Sequence, residues 1–196
     1  MRAAFATLKG GTGKTTSATF VAAGLAKRGD SVTVIDADSQ GSALAWAEHA
    51  DFPWLTMAMP TKTIHRQIDK LGRTDHLIID TPPKELGVVA SALRAADVAV
   101  VPVQPTYADM DQVRETIALA EDVQAVNDLM IVCLLTRVVR NTRAQRQVRE
   151  ALEEAGMNVL SSEVYQSQAL ARSHGVAITD LGMYGDVVDE LIEKVG

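Results

Sequence analysis

The 196-residue sequence has a single cysteine, only 4% aromatic residues and no surplus of positive charge. One cysteine, Cys133, leaves no partner for an internal disulfide and excludes a cysteine-built metal or cluster site within one chain. Its surroundings, "LMIVCLL", read as a buried strand. No run approaches the roughly 18 uninterrupted apolar residues of a membrane span. Met1-Arg2 leads into a short apolar stretch broken by Lys9, unlike a secretory signal, so a cytoplasmic protein is expected. Aromatics are scarce enough that Trp46 and Trp54 are expected to pack rather than to stack on a ligand. The formal net charge of −6 argues against a protein that coats nucleic acid over its whole surface, because such binding needs positive charge at the contact. The histidines at 49, 65, 76 and 174 show no metal-ligand spacing.

What remains is 47% hydrophobic and sized for one compact domain over residues 1–196, with no repeat, linker or low-complexity segment. Short β-branched apolar runs alternate with longer helical patterns, the signature of stacked βαβ units. Strands are expected at 3–8, 31–36, 54–59, 76–80, 97–103 and 129–135, with helices at 15–29, 42–50, 63–72, 107–126 and 142–155. "MNVLSSEVY" and "VAITDLG" supply smaller C-terminal pieces. The near-continuous apolar strands predict an α/β fold whose mostly parallel sheet is covered by helices on both faces. Such sheets bind ligands at the carboxyl ends of their strands.

The motifs fall at those ends. "GGTGKTT" follows a strand and opens a helix, as a phosphate loop must. Gly10, Gly11 and Gly13 allow tight turns, and the N–H groups of the loop, Thr12 included, face phosphate oxygens beside a helix N-terminus. Lys14 would neutralise the β- and γ-phosphates, the Thr15 hydroxyl would ligate Mg²⁺, and Thr16 is placed for the α-phosphate. "VIDADSQGS" puts Asp36 at the end of a strand with Asp38 two residues on. "HLIIDTPP" puts Asp80 at the end of another, suited to hold the Mg²⁺ hydration shell.

"KGGTGKTT", "DADSQGS" and "DTPP" together resemble the deviant Walker A, Walker A′ and Walker B motifs of the ParA/MinD ATPases. The short chain looks most like the small, ParF-like partition proteins, over about residues 1 to 180. The resemblance implies a P-loop NTPase with ATP and Mg²⁺ as its cofactors. It also implies that Lys9 reaches across a homodimer to phosphates held by the other subunit. Catalysis would then fall to Lys9, Lys14 and Asp38, with Asp38 orienting the attacking water; Asp36, beside the metal, would join Thr15 and Asp80 as a metal residue. By the same resemblance, Thr136 and Arg137 contact adenine. Non-specific DNA binding in the ATP state and a ParB/ParG-type centromere-binding partner follow too, giving a nucleoid-associated protein. The chain opens directly on its first strand, so no N-terminal helix-turn-helix domain is expected.

One local patch is basic: residues 137–149 hold five arginines and no acid. On a helix over 142–155, Ala144, Val148, Ala151, Leu152 and Ala155 form an apolar stripe, and Arg143, Arg146 and Arg149 project from the opposite side. With Arg140 these are the candidate DNA contacts, weighed against a merely solvated helix face. Three other functions share the fold. A MinD-like membrane-positioning ATPase should end in a basic amphipathic helix, whereas "GDVVDELIEKVG" places Val187, Val188, Leu191, Ile192 and Val195 beneath an acidic face. An iron–sulfur carrier needs more cysteines. An ATP-dependent metabolic ligase stays open, although it gives no reason for Lys9.

Overall fold

The computed structural model describes residues 1–106 and 110–195. Seven strands form one sheet: β1 (Arg2–Phe5), β2 (Val32–Asp36), β3 (Leu55–Ala58), β4 (His76–Asp80), β5 (Val98–Val103), β6 (Met130–Val138) and β7 (Asn158–Tyr165). Their spatial order is β3-β2-β4-β1-β5-β6-β7, and every neighbouring pair runs parallel. Among the described residues, eight α-helices connect and cover them: α1 (Lys14–Lys27), α2 (Ser42–Ala50), α3 (Ile64–Gln67), α4 (Leu86–Leu93), α5 (Met110–Gln124), α6 (Arg143–Glu154), α7 (Gln168–Ala171) and α8 (Tyr184–Val195).

The continuous apolar strands are explained by burial on both faces, since successive side chains in a strand point to opposite sides. On β1, Ala3 and Phe5 enter one core while Ala4 enters the other; on β4, Ile78 separates from Leu77 and Ile79 in the same way. The first face is covered by α1, α8 and Trp46 of α2. The second is covered by α3, α4 and α5, and continues under α6, where Cys133 is fully buried. Burial pushes the Cys133 thiol up to about 12, consistent with an inert packing residue.

Helix α8 buries Val187, Val188 and Leu191, with Ile192 and Val195 packed at the margin, as its pattern predicts. It comes so close to α1 that a Cβ on Gly24 would lie 2.6 Å from Val188 Cγ2. Only glycine fits mid-helix at that point.

Three segments differ from expectation. The 63–72 helix is one α-turn continued by a 3-10 turn at Ile68–Lys70. Helix α4, "LGVVASAL", was not anticipated: Val88 to Leu93 are all buried, so it lacks the polar face that produces a helical period. The C-terminal piece "VAITDLG" forms no regular element. The expected 107–126 helix is seen from Met110, and its residues 107–109, with the "VVPVQPTYADM" segment they belong to, lie partly outside the described residues.

Candidate phosphate-binding site

β1 lies between β4 and β5; the chain leaves it for β2 on one side and, after β4, crosses to β5 on the other, which opens a crevice at the strand ends. The register pairs Phe5 with Asp80 and Asp80 with Asp36, so the first loop and both acids leave the sheet at one level.

The loop from β1 turns into α1 at Gly13, whose φ of 89° is left-handed. There the Ser17 N–H donates to the Gly13 carbonyl at 2.8 Å, the first bond of the helix. The Lys14 side chain is 7% exposed and donates to the Lys9 carbonyl at 2.9 Å, folding back across its own loop. Burial lowers its pKa, while Asp80 and Asp38 oppose that shift by favouring the charge. Gly10, Gly11 and Gly13 have open space where a Cβ would stand, so the cradle is unobstructed.

Three threonines outside the loop brace it. The Thr116 hydroxyl of α5 accepts from the Leu8 N–H at 3.0 Å. Thr81 donates to the Phe5 carbonyl at 2.9 Å, tying the loop after β4 to β1. Thr136, at the end of β6, donates to the Thr12 carbonyl at 2.8 Å and is buried. The Thr136 hydroxyl, at a residue expected near adenine, thus braces the phosphate loop. Its neighbour Arg137 is exposed, with φ at 51°.

Asp36 is fully buried, and its two oxygens accept from the Asp38 N–H at 3.0 Å and the Leu44 N–H at 2.9 Å. Burial raises its pKa, countered by those backbone donors. Both oxygens thus organise the turn from β2 into α2, and the carboxylate stands in register with Asp80, the other candidate metal residue. That turn presents Asp38, half-buried, with one oxygen accepting from the Gln40 N–H at 2.9 Å.

Asp80 is different. It is 1% exposed, and neither carboxylate oxygen has a hydrogen-bond partner among the described residues. Burial pushes it up to about 7; the nearby Thr15 hydroxyl and Lys14 pull the other way. A buried, unsatisfied carboxylate beside a hydroxyl and an ammonium is a donor set for a hard cation. Thr15 and Asp80 therefore fit a divalent ion, and Lys14 with the loop amides fits an anion.

The arginine patch is smaller than expected. Arg143 and Arg146 are exposed. Arg149, expected in solvent, is instead paired with Glu163 of β7 at 2.8 Å and donates to the Leu160 carbonyl at 3.0 Å. A helical wheel cannot reveal that β7 lies under this side of α6. Arg140 stands over the Tyr165 ring, 4.1 Å from its centroid. The apolar stripe narrows to Val148 and Leu152, with Ala151 and Ala155 exposed.

Thr116 and Thr81 were missed by sequence reasoning. Thr116 carried a signal: it interrupts the buried stripe Val113, Ile117, Ala120, Val123 with a polar group, and such a group needs a partner.

Comparison with known proteins agrees with this geometry. Residues 3–177 match the family described as CbiA, the CobQ/CobB/MinD/ParA nucleotide binding domain. The maintenance of carboxysome distribution protein A of Halothiobacillus neapolitanus is 28% identical over 207 aligned residues, covering 98% of this chain and 94% of that protein. Its counterpart in Gloeobacter kilaueensis is 32% identical over 177 residues, covering 87% and 80%. Among solved structures, a plasmid partition protein of Borrelia burgdorferi bound to AMPPNP superposes with TM-score 0.80 at 16% identity, covering 98% of each chain. Cobyrinic acid a,c-diamide synthase of Mycobacterium smegmatis with ADP and magnesium superposes at 0.76 and 22%, covering 98% and 94%. Those two likenesses concern the fold. A phosphate loop, two strand-end acids and a family match across most of the sequence agree: this chain belongs to the CobQ/CobB/MinD/ParA nucleotide-binding family.

Proposed function

We propose that the chain is an Mg²⁺-dependent ATPase that dimerises around ATP and distributes a cargo over non-specifically bound DNA with a stimulating partner. The observation that carries this reading is the meeting of Lys14, the orphaned Asp80 carboxylate and the Asp36–Asp38 turn at one level of the sheet, with Lys9 on the same loop. Lys14 and the amides of Gly10 to Thr16 hold the phosphates, and the positive end of α1 adds to the attraction. Thr15 and Asp80 hold the magnesium. Bound there, a magnesium ion would supply positive charge to the phosphate oxygens. Asp38 orients the attacking water from a turn fixed by Asp36; phosphoryl transfer demands position more than strong basicity. Arg137, exposed near the end of β6, is assigned to the adenine.

Lys9 extends the site to a second copy. A lysine contributed by each protomer to the other's triphosphate would make the dimer depend on the γ-phosphate, because ADP offers less negative charge at the seam. For the DNA surface, Arg143 and Arg146 are the exposed candidates, with Arg137 and Arg140 next to them. Arg149 is reassigned to packing.

The cargo is a plasmid or chromosome addressed through a ParB/ParG-type protein, or, as the names of two relatives suggest, a carboxysome. Among the described residues no helix is long and apolar enough to cross a membrane, and α8 turns Asp186, Asp189 and Glu193 outward, a face that anionic lipid would repel. Turnover separates the remaining classes. Slow ATP hydrolysis that rises on adding plasmid DNA is expected; hydrolysis that occurs only with a small carboxylic acid would replace this reading with a ligase.

A further inference from the structure

Helix α1 carries a polar contact in the middle of an apolar core. The Ser17 hydroxyl and the Tyr184 hydroxyl lie 2.9 Å apart, and both residues are buried, at 0% and 1% exposure. Tyr184 is the first residue of α8, and its ring stacks on Phe20 with centroids 4.8 Å apart. Around them α1 and α8 present Val21, Leu25, Val187 and Val188. A buried hydroxyl pair in such a setting needs a reason, since an apolar pair of similar shape packs at little cost.

The reason lies in what a helical serine does without a partner. Its hydroxyl donates back to the carbonyl four residues earlier, which loosens and bends the helix there. This very helix has an example: the Thr19 hydroxyl donates to the Thr15 carbonyl at 2.8 Å. For Ser17 the corresponding carbonyl is that of Gly13, the left-handed residue on which the phosphate loop turns into α1. That carbonyl accepts the Ser17 N–H at 2.8 Å. A second, competing donor would disturb the orientation of the amides of Lys14, Thr15 and Thr16.

We propose that Tyr184 is a positioning residue for the phosphate loop: its hydroxyl oxygen accepts the Ser17 proton, which reserves the Gly13 carbonyl for the helix and so ties the anion cradle to α8. This rests on the ATP-binding reading above. It makes the C-terminal helix part of the site's support, although α8 stands behind α1 in the core.

The test measures ATP–magnesium affinity by calorimetry for the wild type, Tyr184→Phe, the double variant Ser17→Ala/Tyr184→Phe, and Val188→Ala. Val188→Ala loosens the same helix pair without touching the polar bond. Tyr184→Phe should weaken affinity about three- to tenfold, the size of one net hydrogen bond. Removing the Ser17 hydroxyl as well should return affinity to within about twofold of wild type, because the competing donor is gone. Val188→Ala should lower the melting temperature and leave affinity unchanged. An unchanged affinity in Tyr184→Phe, or a double variant as weak as the single, overturns the proposal. A wild type that binds no ATP defeats the functional reading instead; amide exchange at Ser17 then decides, faster exchange in Tyr184→Phe supporting the positioning role and equal exchange refuting it.

Discussion

Asp80→Asn removes a charge that the fold buries with neither oxygen hydrogen-bonded among the described residues. The carboxyl is 1% exposed, and burial lifts it from its ordinary 3.8 to about 7. The folded state therefore keeps a proton that the unfolded chain has already released, and the protein loses stability as pH climbs between those two values. Below them the acid is neutral in both states, and above them the loss is complete. With a pKa gap of this size, linkage puts the whole loss at roughly 4 kcal/mol, of which about 2–3 kcal/mol accrues between about pH 5 and about pH 8. Asparagine has nearly the same shape and never ionises, so it escapes this term while retaining the desolvation of a polar group. Urea unfolding of both proteins at the two pH values, without nucleotide or metal, reads the difference. The variant's advantage should grow by those ~2–3 kcal/mol, about 5–10 °C in melting temperature for a chain of this size, and magnesium should no longer raise its ATP affinity. Identical pH dependence in the two proteins, or a variant less stable than wild type at the higher pH, would refute the claim that the carboxylate lies unpaired in the site.

Other consequences can be checked more briefly. Gly24→Ala gains about 1 kcal/mol of helix propensity, but overpacking against Val188 costs about 1–3 kcal/mol; the double variant with Val188→Ala should be more stable than the sum of the singles, and additivity in a denaturation series would contradict the close contact. Arg149→Ala should cost about 2–3 kcal/mol, discounted from a fully buried pair because Arg149 is partly exposed, as it strands Glu163. Arg143→Ala with Arg146→Ala should change stability by no more than about 0.5 kcal/mol and weaken plasmid binding in a salt-dependent way. Unaltered DNA affinity in that pair would leave α6 a solvated helix.

Much of the site was legible because its chemistry is local. Gly13, Lys14 and Thr15 sit within one turn, and the positions of Asp36 and Asp80 follow from where two apolar strands stop. The targets of the braces were not legible, even where Thr116 showed as a polar break in a buried stripe, because Thr116, Thr81 and Thr136 reach the loop across the sheet from residues 108, 76 and 124 positions away. Arg149 failed for the same reason: its partner Glu163 belongs to the next strand. In the fold, strands buried on both faces announced themselves by their apolar runs, whereas α4, buried nearly all round, looked like none of the periodic patterns. Tyr184 shows the general limit. A tyrosine in an apolar stripe reads as core until the hydroxyl that meets it is known.

The cross-subunit role of Lys9 is the most exposed part of this account, and sedimentation velocity tests it directly. Wild type and Lys9→Ala are compared with ADP and with a slowly hydrolysed ATP analogue, each with magnesium. The account predicts a dimer only for wild type with the triphosphate, while the variant stays monomeric yet still binds the analogue. A Lys9→Ala protein that dimerises as fully as wild type, or a wild type that stays monomeric at saturating analogue, would contradict it.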